Sequence, residues 1–209
     1  MQVKHLVRVP LGVDLERFHP LAHDLLLRRA YAQDDEVLLL LASRLSREKR
    51  PELAVDTVAE LVRRGHRVRL VVAGDGPMRT ALEQRAAGLP VTFLGFVRDR
   101  DRMAGLLATC DVVLAPGPVE TFGLAALEAL AAGTPVVANA LSALREVLGE
   151  AGEAVGGTPR CFADAIEKIL HDPARKRAQT ARRRAEQFPW SATVQGFLQT
   201  HRLGLQAVA

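Results

Sequence analysis

Residues 115–139 read A-P-G-P-V-E-T-F-G-L-A-A-L-E-A-L-A-A-G-T-P-V-V-A-N, and their order decides the fold. The apolar run Asp111 to Ala115 has the character of a buried strand, and Pro116-Gly117-Pro118 stops it. Phe122 to Ala132 has the alanine, leucine and glutamate content of a helix. Gly133 closes that helix, and Pro135 to Ala138 supplies a second buried strand. A strand, a tight loop and a helix in this order leave the first helical N–H groups without intrahelical partners, with the positive end of the helix dipole behind them. Those groups are expected from Phe122, Gly123 and Leu124. Such a terminus binds anions, phosphate most often.

Two carboxylates frame this terminus, Glu120 in the loop and Glu128 in the helix. Eight residue steps span at most ~12 Å along a helix and return to roughly the same side. That distance suits a ligand with hydroxyls at both ends and negative charge between them, the layout of a nucleotide sugar. A carboxylate that accepts from vicinal hydroxyls makes charge-assisted hydrogen bonds. Taken alone, two glutamates in an alanine-rich helix read as an exposed polar face, so the surrounding residues must carry the argument.

The pattern P-x-x-x-E-x-F-G-L-x-x-x-E-A-x-A-x-G-x-P-V-V-A, from Pro116 to Ala138, resembles the donor-site signature of retaining glycosyltransferases of the GT-B fold, the group numbered family four. The resemblance extends over nearly all 209 residues. Val7-Arg8-Val9-Pro10-Leu11-Gly12-Val13-Asp14 with Phe18-His19-Pro20 resembles that family's interdomain segment, with Leu11 where asparagine is common. In the family this segment follows an entire N-terminal domain, so the chain is expected to be the C-terminal, donor-binding half. Residues 1–20 would be the interdomain lead-in, 21–188 the Rossmann-like nucleotide-sugar domain and 189–209 a crossover helix. An N-terminal acceptor domain would be the partner, and apolar surface around Trp190 is expected to be exposed or to self-associate.

Upstream, Val37 to Ala42 and Val68 to Ala73 are aliphatic runs of the kind found in central parallel strands. Pro51 opens a helix with Leu53, Val55, Val58, Leu61 and Val62 on one face. Arg44 and Lys49 lie between strand and helix, where open α/β sheets bind ligands, and both can neutralise a diphosphate. This loop resembles the family's G-R-L-x-x-E-K, with Ser43 in place of glycine. Gly74-Asp75-Gly76-Pro77 is not a dinucleotide fingerprint, since Arg79 stands where the third glycine belongs. The family has G-x-G-P here, and Gly74 and Gly76 are expected to let backbone approach the ligand. After a short strand over Val91 to Leu94, the resemblance assigns Phe96 and Val97 to the wall around the nucleobase. Asp99-Arg100-Asp101 reads as a helix N-cap with first-turn charge, not as a metal site, so no metal is expected. Ala140 to Leu148 reads as a short helix that resembles the family's G-x-x-E segment, with Glu146 at its acidic position, and the small Ala140 and Ser142 would either let the sugar or phosphate approach closely or serve packing.

Composition narrows the rest. Lys and Arg number 28 against 24 Asp and Glu, a net charge of +4, yet aromatics make up only 4% and offer no stacking platform for nucleic acid. The densest basic cluster, Arg175-Lys176-Arg177 with Arg182-Arg183-Arg184, is expected to be a solvated helix face, one that leaves room for contact with anionic lipid. Two cysteines, Cys110 and Cys161, lack metal-ligand spacing. With short apolar runs and no export signal at the start, the chain is expected in the cytoplasm, up to the inner face of the plasma membrane.

The fold expected is α/β, a doubly wound, mostly parallel Rossmann-like sheet with helices on both faces. The function expected is donor binding for transfer of a hexose to an acceptor hydroxyl with retention. Arg44 and Lys49 would hold the diphosphate with the Gly123 and Leu124 amides, Glu120 would orient the sugar, and Glu128 would bind the ribose diol. The donor is expected to be GDP-mannose, with UDP-sugars as the alternative, since the wording is most like bacterial mannosyltransferases. The acceptor would be a lipid or polysaccharide. Competing readings are a sugar-nucleotide epimerase or phosphorylase of the same fold, and a non-catalytic nucleotide-binding domain.

Overall fold

The computed structural model describes residues 7–206. Six strands form one sheet: β1 (Val37–Ala42), β2 (Val68–Ala73), β3 (Val91–Gly95), β4 (Val112–Ala115), β5 (Val136–Asn139) and β6 (Gly152–Val155). Their order is β3-β2-β1-β4-β5-β6, and every neighbouring pair is parallel. Period-two alternation splits each central strand between two cores. Leu38 and Leu40 of β1 face one side, while Leu39 and Leu41 face the other. A parallel strand so placed must be apolar on both faces, which is why these segments read as unbroken aliphatic runs.

On one side pack α2 (Pro51–Arg63), α3 (Arg79–Arg85) and α7 (Pro159–Leu170), centred on Leu53, Leu61, Leu82, Phe162 and Ile166. On the other pack α4 (Arg100–Thr109), α5 (Leu124–Ala131), α6 (Leu144–Leu148) and α8 (Ala174–Ala185), with the fully buried Phe18 of the lead-in segment. A short α1 (Leu25–Tyr31) precedes β1, and α9 (Trp190–Gln206) ends the described chain. The lead-in is tied to the start of α9. Val13 forms a parallel bridge with Pro189 and donates to the Phe188 carbonyl at 2.9 Å, and a Cβ on Gly12 would lie 2.6 Å from the Trp190 backbone. Residues 1–6 of the expected lead-in and 207–209 of the expected crossover helix lie outside the described residues.

Three expectations need correction. The segment after β5 is helical only over Leu144–Leu148, because Asn139 accepts from the Leu141 N–H through its side chain and the Ser142 N–H through its carbonyl, making a turn first. Ser142 is buried with its hydroxyl donating to the Asn139 carbonyl at 2.6 Å, so it serves packing and not ligand approach. The basic cluster of α8 is only partly a solvated face. Arg182 donates to the Leu15, Phe18 and Ala131 carbonyls, Arg184 to those of Glu146 and Val147, and Arg177 to that of Asp172. These guanidiniums bind helix ends and lead-in to the sheet, while Arg175, Lys176 and Arg183 are exposed.

Candidate functional site

Strand order reverses between β1 and β4, so the connections leaving their carboxyl ends diverge to opposite faces and leave a crevice, the usual ligand position in such sheets. The loop after β1 carries Arg44 and Lys49, and the loop after β4 carries Glu120 and Gly123. Local chemistry sets both loops. Arg50 takes a left-handed conformation, φ 47°, ending the turn Arg47–Lys49 and starting α2 at Pro51. A Cβ on Gly117 would sit 3.0 Å from the Glu48 carbonyl oxygen and 3.1 Å from the Lys49 Cα, so glycine lets the two loops meet.

That contact brings the Lys49 Nζ within 2.6 Å of the Glu120 Oε2. The two residues, Gly117, Gly123 and Leu144 line a small recess, which shares Ala42, Ser43 and Ala125 with a larger cleft of about 340 Å³. The larger cleft holds Arg44, Gly74, Phe96, Val97, Arg100 and Glu128. Glu120 and Glu128 thus occupy adjoining compartments, with the amino end of α5 between them. Arg44 is exposed and has no ion-pair partner among the described residues.

The helix begins at Leu124, two residues later than Phe122. Its free amides are therefore those of Gly123 as cap and of Leu124, Ala125 and Ala126, while the Phe122 N–H lies outside the first turn. The Phe122 ring packs edge-on against Phe188 at 6.2 Å. Gly123 has φ 79°, and a Cβ there would be 2.0 Å from the Leu144 Cδ2. Positive φ and close approach together require glycine at this turn. Leu124 is exposed at 42%, its amide leading the helix.

Gly74 and Gly76 have a protein neighbour that their spacing did not reveal. A Cβ on Gly74 would fall 1.8 Å from the Ser43 carbonyl oxygen, and one on Gly76 would fall 2.5 Å from that of Leu45. The glycines admit the β1 loop, and the Leu45 N–H to Asp75 O and Met78 N–H to Leu45 O bonds lock the two loops together. Their effect on the cleft is to hold Arg44 at its rim. Phe96, 70% exposed, and the half-buried Val97 form the apolar wall at the far end. Asp99 caps α4, accepting from the Asp101 and Arg102 amides at 2.9 and 3.2 Å.

Glu128 has a partner that its spacing did not reveal. The Arg100 Nη2 donates to its Oε1 at 2.8 Å. Burial pushes the Glu128 carboxyl above the usual carboxylate range, and the charge and hydrogen bond of Arg100 pull it back only in part. Glu146, at the family's acidic position, pairs with Arg8 of the lead-in and not with the cleft. The arrangement is a groove with a carboxylate near each end, one paired lysine, one unpaired arginine and a helix amino terminus in the middle. It can hold a polyanion flanked by hydroxyl-bearing groups.

Comparison with known proteins places the chain in a family. Residues 36–172 match the family model Glycosyl transferases group 1. Over 204 residues and 97% of its length, the chain is 47% identical to a GDP-mannose-dependent α-(1-6)-phosphatidylinositol dimannoside mannosyltransferase of Mycobacterium tuberculosis, covering 53% of that protein. It is 36% identical to a D-inositol 3-phosphate glycosyltransferase of Kineococcus radiotolerans, covering 52% of it. Among solved structures, sucrose-phosphate synthase from Thermosynechococcus elongatus superposes with a TM-score of 0.80 at 29% identity, over 95% of this chain and 52% of that one. The C-terminal domain of a group 1 glycosyl transferase from Francisella tularensis shares the fold, with a TM-score of 0.72 at 22% identity, over 84% of this chain and 97% of that one. The chain spans about half the length of the curated relatives it matches. With its doubly wound parallel sheet and its P-x-x-x-E-x-F-G-L helix start at the switch point, the chain belongs to the group 1 glycosyl transferases.

Proposed function

We propose that this chain is the donor-binding half of a retaining mannosyltransferase that takes GDP-mannose and transfers the sugar to a hydroxyl of a lipid or polysaccharide. The observation that carries this is the placement of Glu120 with Lys49, and of Glu128 with Arg100, on either side of the α5 amino terminus. In this reading the diphosphate lies on the Gly123, Leu124 and Ala125 amides, between the Lys49 ammonium and the Arg44 guanidinium. These cations stabilise the charge that grows on the leaving diphosphate as the glycosidic bond breaks. The phosphate takes over Lys49, which frees Glu120 to accept from the sugar hydroxyls. Glu128 accepts from the ribose diol, and the base rests against Phe96 and Val97. Donor identity is supported by the relative's GDP-mannose dependence at 47% identity.

Acceptor contacts fall to the half that the relatives carry beyond this match. The surface offered to it includes α9, where Trp190, Val194, Phe197 and Leu198 repeat at helical spacing and are all about half exposed. No helix among the described residues is long and apolar enough to cross a membrane. In this reading a lipid acceptor is met at the membrane surface, on the cytoplasmic side.

Calorimetric titration with GDP, UDP and ADP tests the assignment. GDP is expected to bind most tightly, and Arg44→Ala to weaken it roughly tenfold, the value of one charge-assisted hydrogen bond to a phosphate. Equal binding of all three nucleotides, indifferent to Arg44→Ala, would sink the reading.

A further inference from the structure

Arg100 is absent from the motif that frames the donor groove, yet it is the ion-pair partner of Glu128. Its guanidinium is held on two sides. Its Cζ lies 5.0 Å above the ring of Phe18, which is completely buried, and its Nη2 meets the Glu128 Oε1 at 2.8 Å. Its backbone is fixed as well, since Arg100 is the first residue of α4, directly after the capping Asp99. The contact to Glu128 is one-sided. An arginine fork can take both oxygens of a carboxylate, but among the described residues only Oε1 is engaged, and Glu128 lines the cleft. As a stabilising ion pair the contact would count for little, because the Arg100 side chain is 55% exposed. As a means of aiming a carboxylate it is well built. The cation is stacked on a rigid ring, and the free oxygen is left to the ligand.

We propose that Arg100 is the positioning residue of the diol-binding carboxylate. Clamped on Phe18, it holds Glu128 in the rotamer that turns Oε2 into the cleft to accept from a ribose hydroxyl. This rests on the donor reading above and adds to it a group on a different helix that sets how strongly the groove distinguishes ribose from deoxyribose.

The test is titration of the chain with GDP and 2′-deoxy-GDP, for the parent protein and for Glu128→Ala, Arg100→Met and Arg100→Lys. The parent should prefer GDP by about tenfold, the worth of one charge-assisted hydrogen bond. Glu128→Ala should bind both nucleotides alike, and Arg100→Met should bring the ratio close to one while still melting cooperatively. Arg100→Lys, which keeps a charge but loses the stacked plane, should fall between. Full preference in Arg100→Met with none in Glu128→Ala would overturn the proposal. So would an equal drop in affinity for both nucleotides in Arg100→Met, since that marks a general charge or folding effect. Retention of the preference in Glu128→Ala would instead remove the donor reading itself, and the role of Arg100 with it.

Discussion

If Glu128 binds the ribose diol as proposed, function and stability oppose each other at this residue. Burial raises its carboxyl above the ordinary 4.5 and outweighs Arg100, so ionised Glu128 is held at a cost in the empty protein. The sign of the linkage follows. A carboxyl whose folded pKa is raised contributes stability below its unfolded pKa, and loses it as pH rises through the folded value. Glu128→Gln should therefore melt at a higher temperature than the parent at pH 7, with the gap closing toward pH 4, as read by calorimetric scans. In the proposed reading binding has the opposite dependence, since the ionised carboxylate is the form that accepts from a diol. GDP affinity should fall on acidification with a midpoint above 4.5, and the fall should be absent in Glu128→Gln. At this scale the sequence showed what local spacing can encode. Arg44, Lys49, Glu120 and Glu128 each stand at a fixed offset from a strand end or helix start, and the fold brings them together. Arg100 was hidden because its partner is 28 residues away and an arginine in D-R-D-R looks like any solvated charge. Gly74 and Gly76 signalled a close approach correctly, but a glycine does not say what approaches, and the neighbour is the Ser43 to Leu45 backbone.

Among elements, the longest apolar runs were the most legible. Val37–Ala42 and Val68–Ala73 coincide with the expected strands, because burial on both faces leaves nothing but aliphatic side chains. The start of α5 was displaced by two residues, since F-G-L fits a helix by composition and only the left-handed Gly123 shows that the turn persists to that point. The arginines of α8 misled for a related reason. Charge suggests solvent, but Arg182 and Arg184 satisfy carbonyls at the ends of other segments. A comparable clamp joins α2 to α7, where Arg64 reaches Glu60 on its own helix and Asp164 and Glu167 on the other, and His66 also meets Glu167. The Arg63 and Arg64 guanidiniums draw the Glu60 carboxyl down to about 2 from 4.5. A carboxyl depressed in the folded state stabilises above its unfolded pKa, and that contribution is lost as pH falls through the window from 4.5 toward 2. Arg64→Ala should lower the melting temperature at pH 7 by a few degrees and flatten the loss of stability across that window. An unchanged acid profile would show that the clamp contributes nothing.

At the scale of the molecule, one feature of topology organises the rest. The sheet order β3-β2-β1-β4-β5-β6 places its reversal between β1 and β4, and the proposed donor-binding groups follow the carboxyl ends of β1, β2, β3 and β4 or lie on α5, the helix that leaves β4. A second, larger cavity of about 470 Å³ lies at the opposite, amino edge, between α1 and α8, lined by Arg28, Asp111, Arg175 and Arg177. Size alone would choose this cavity, and charge does not exclude it. The groove is preferred because it combines a helix amino terminus, an unpaired arginine and two carboxylates. The decisive measurement is a crystal structure of the chain soaked with GDP. The account predicts the diphosphate on the Gly123 to Ala125 amides with Arg44 and Lys49 closed over it, and the ribose hydroxyls on the Glu128 Oε2. A nucleotide seated in the amino-edge cavity, or one in the groove with its ribose turned away from Glu128, would contradict it.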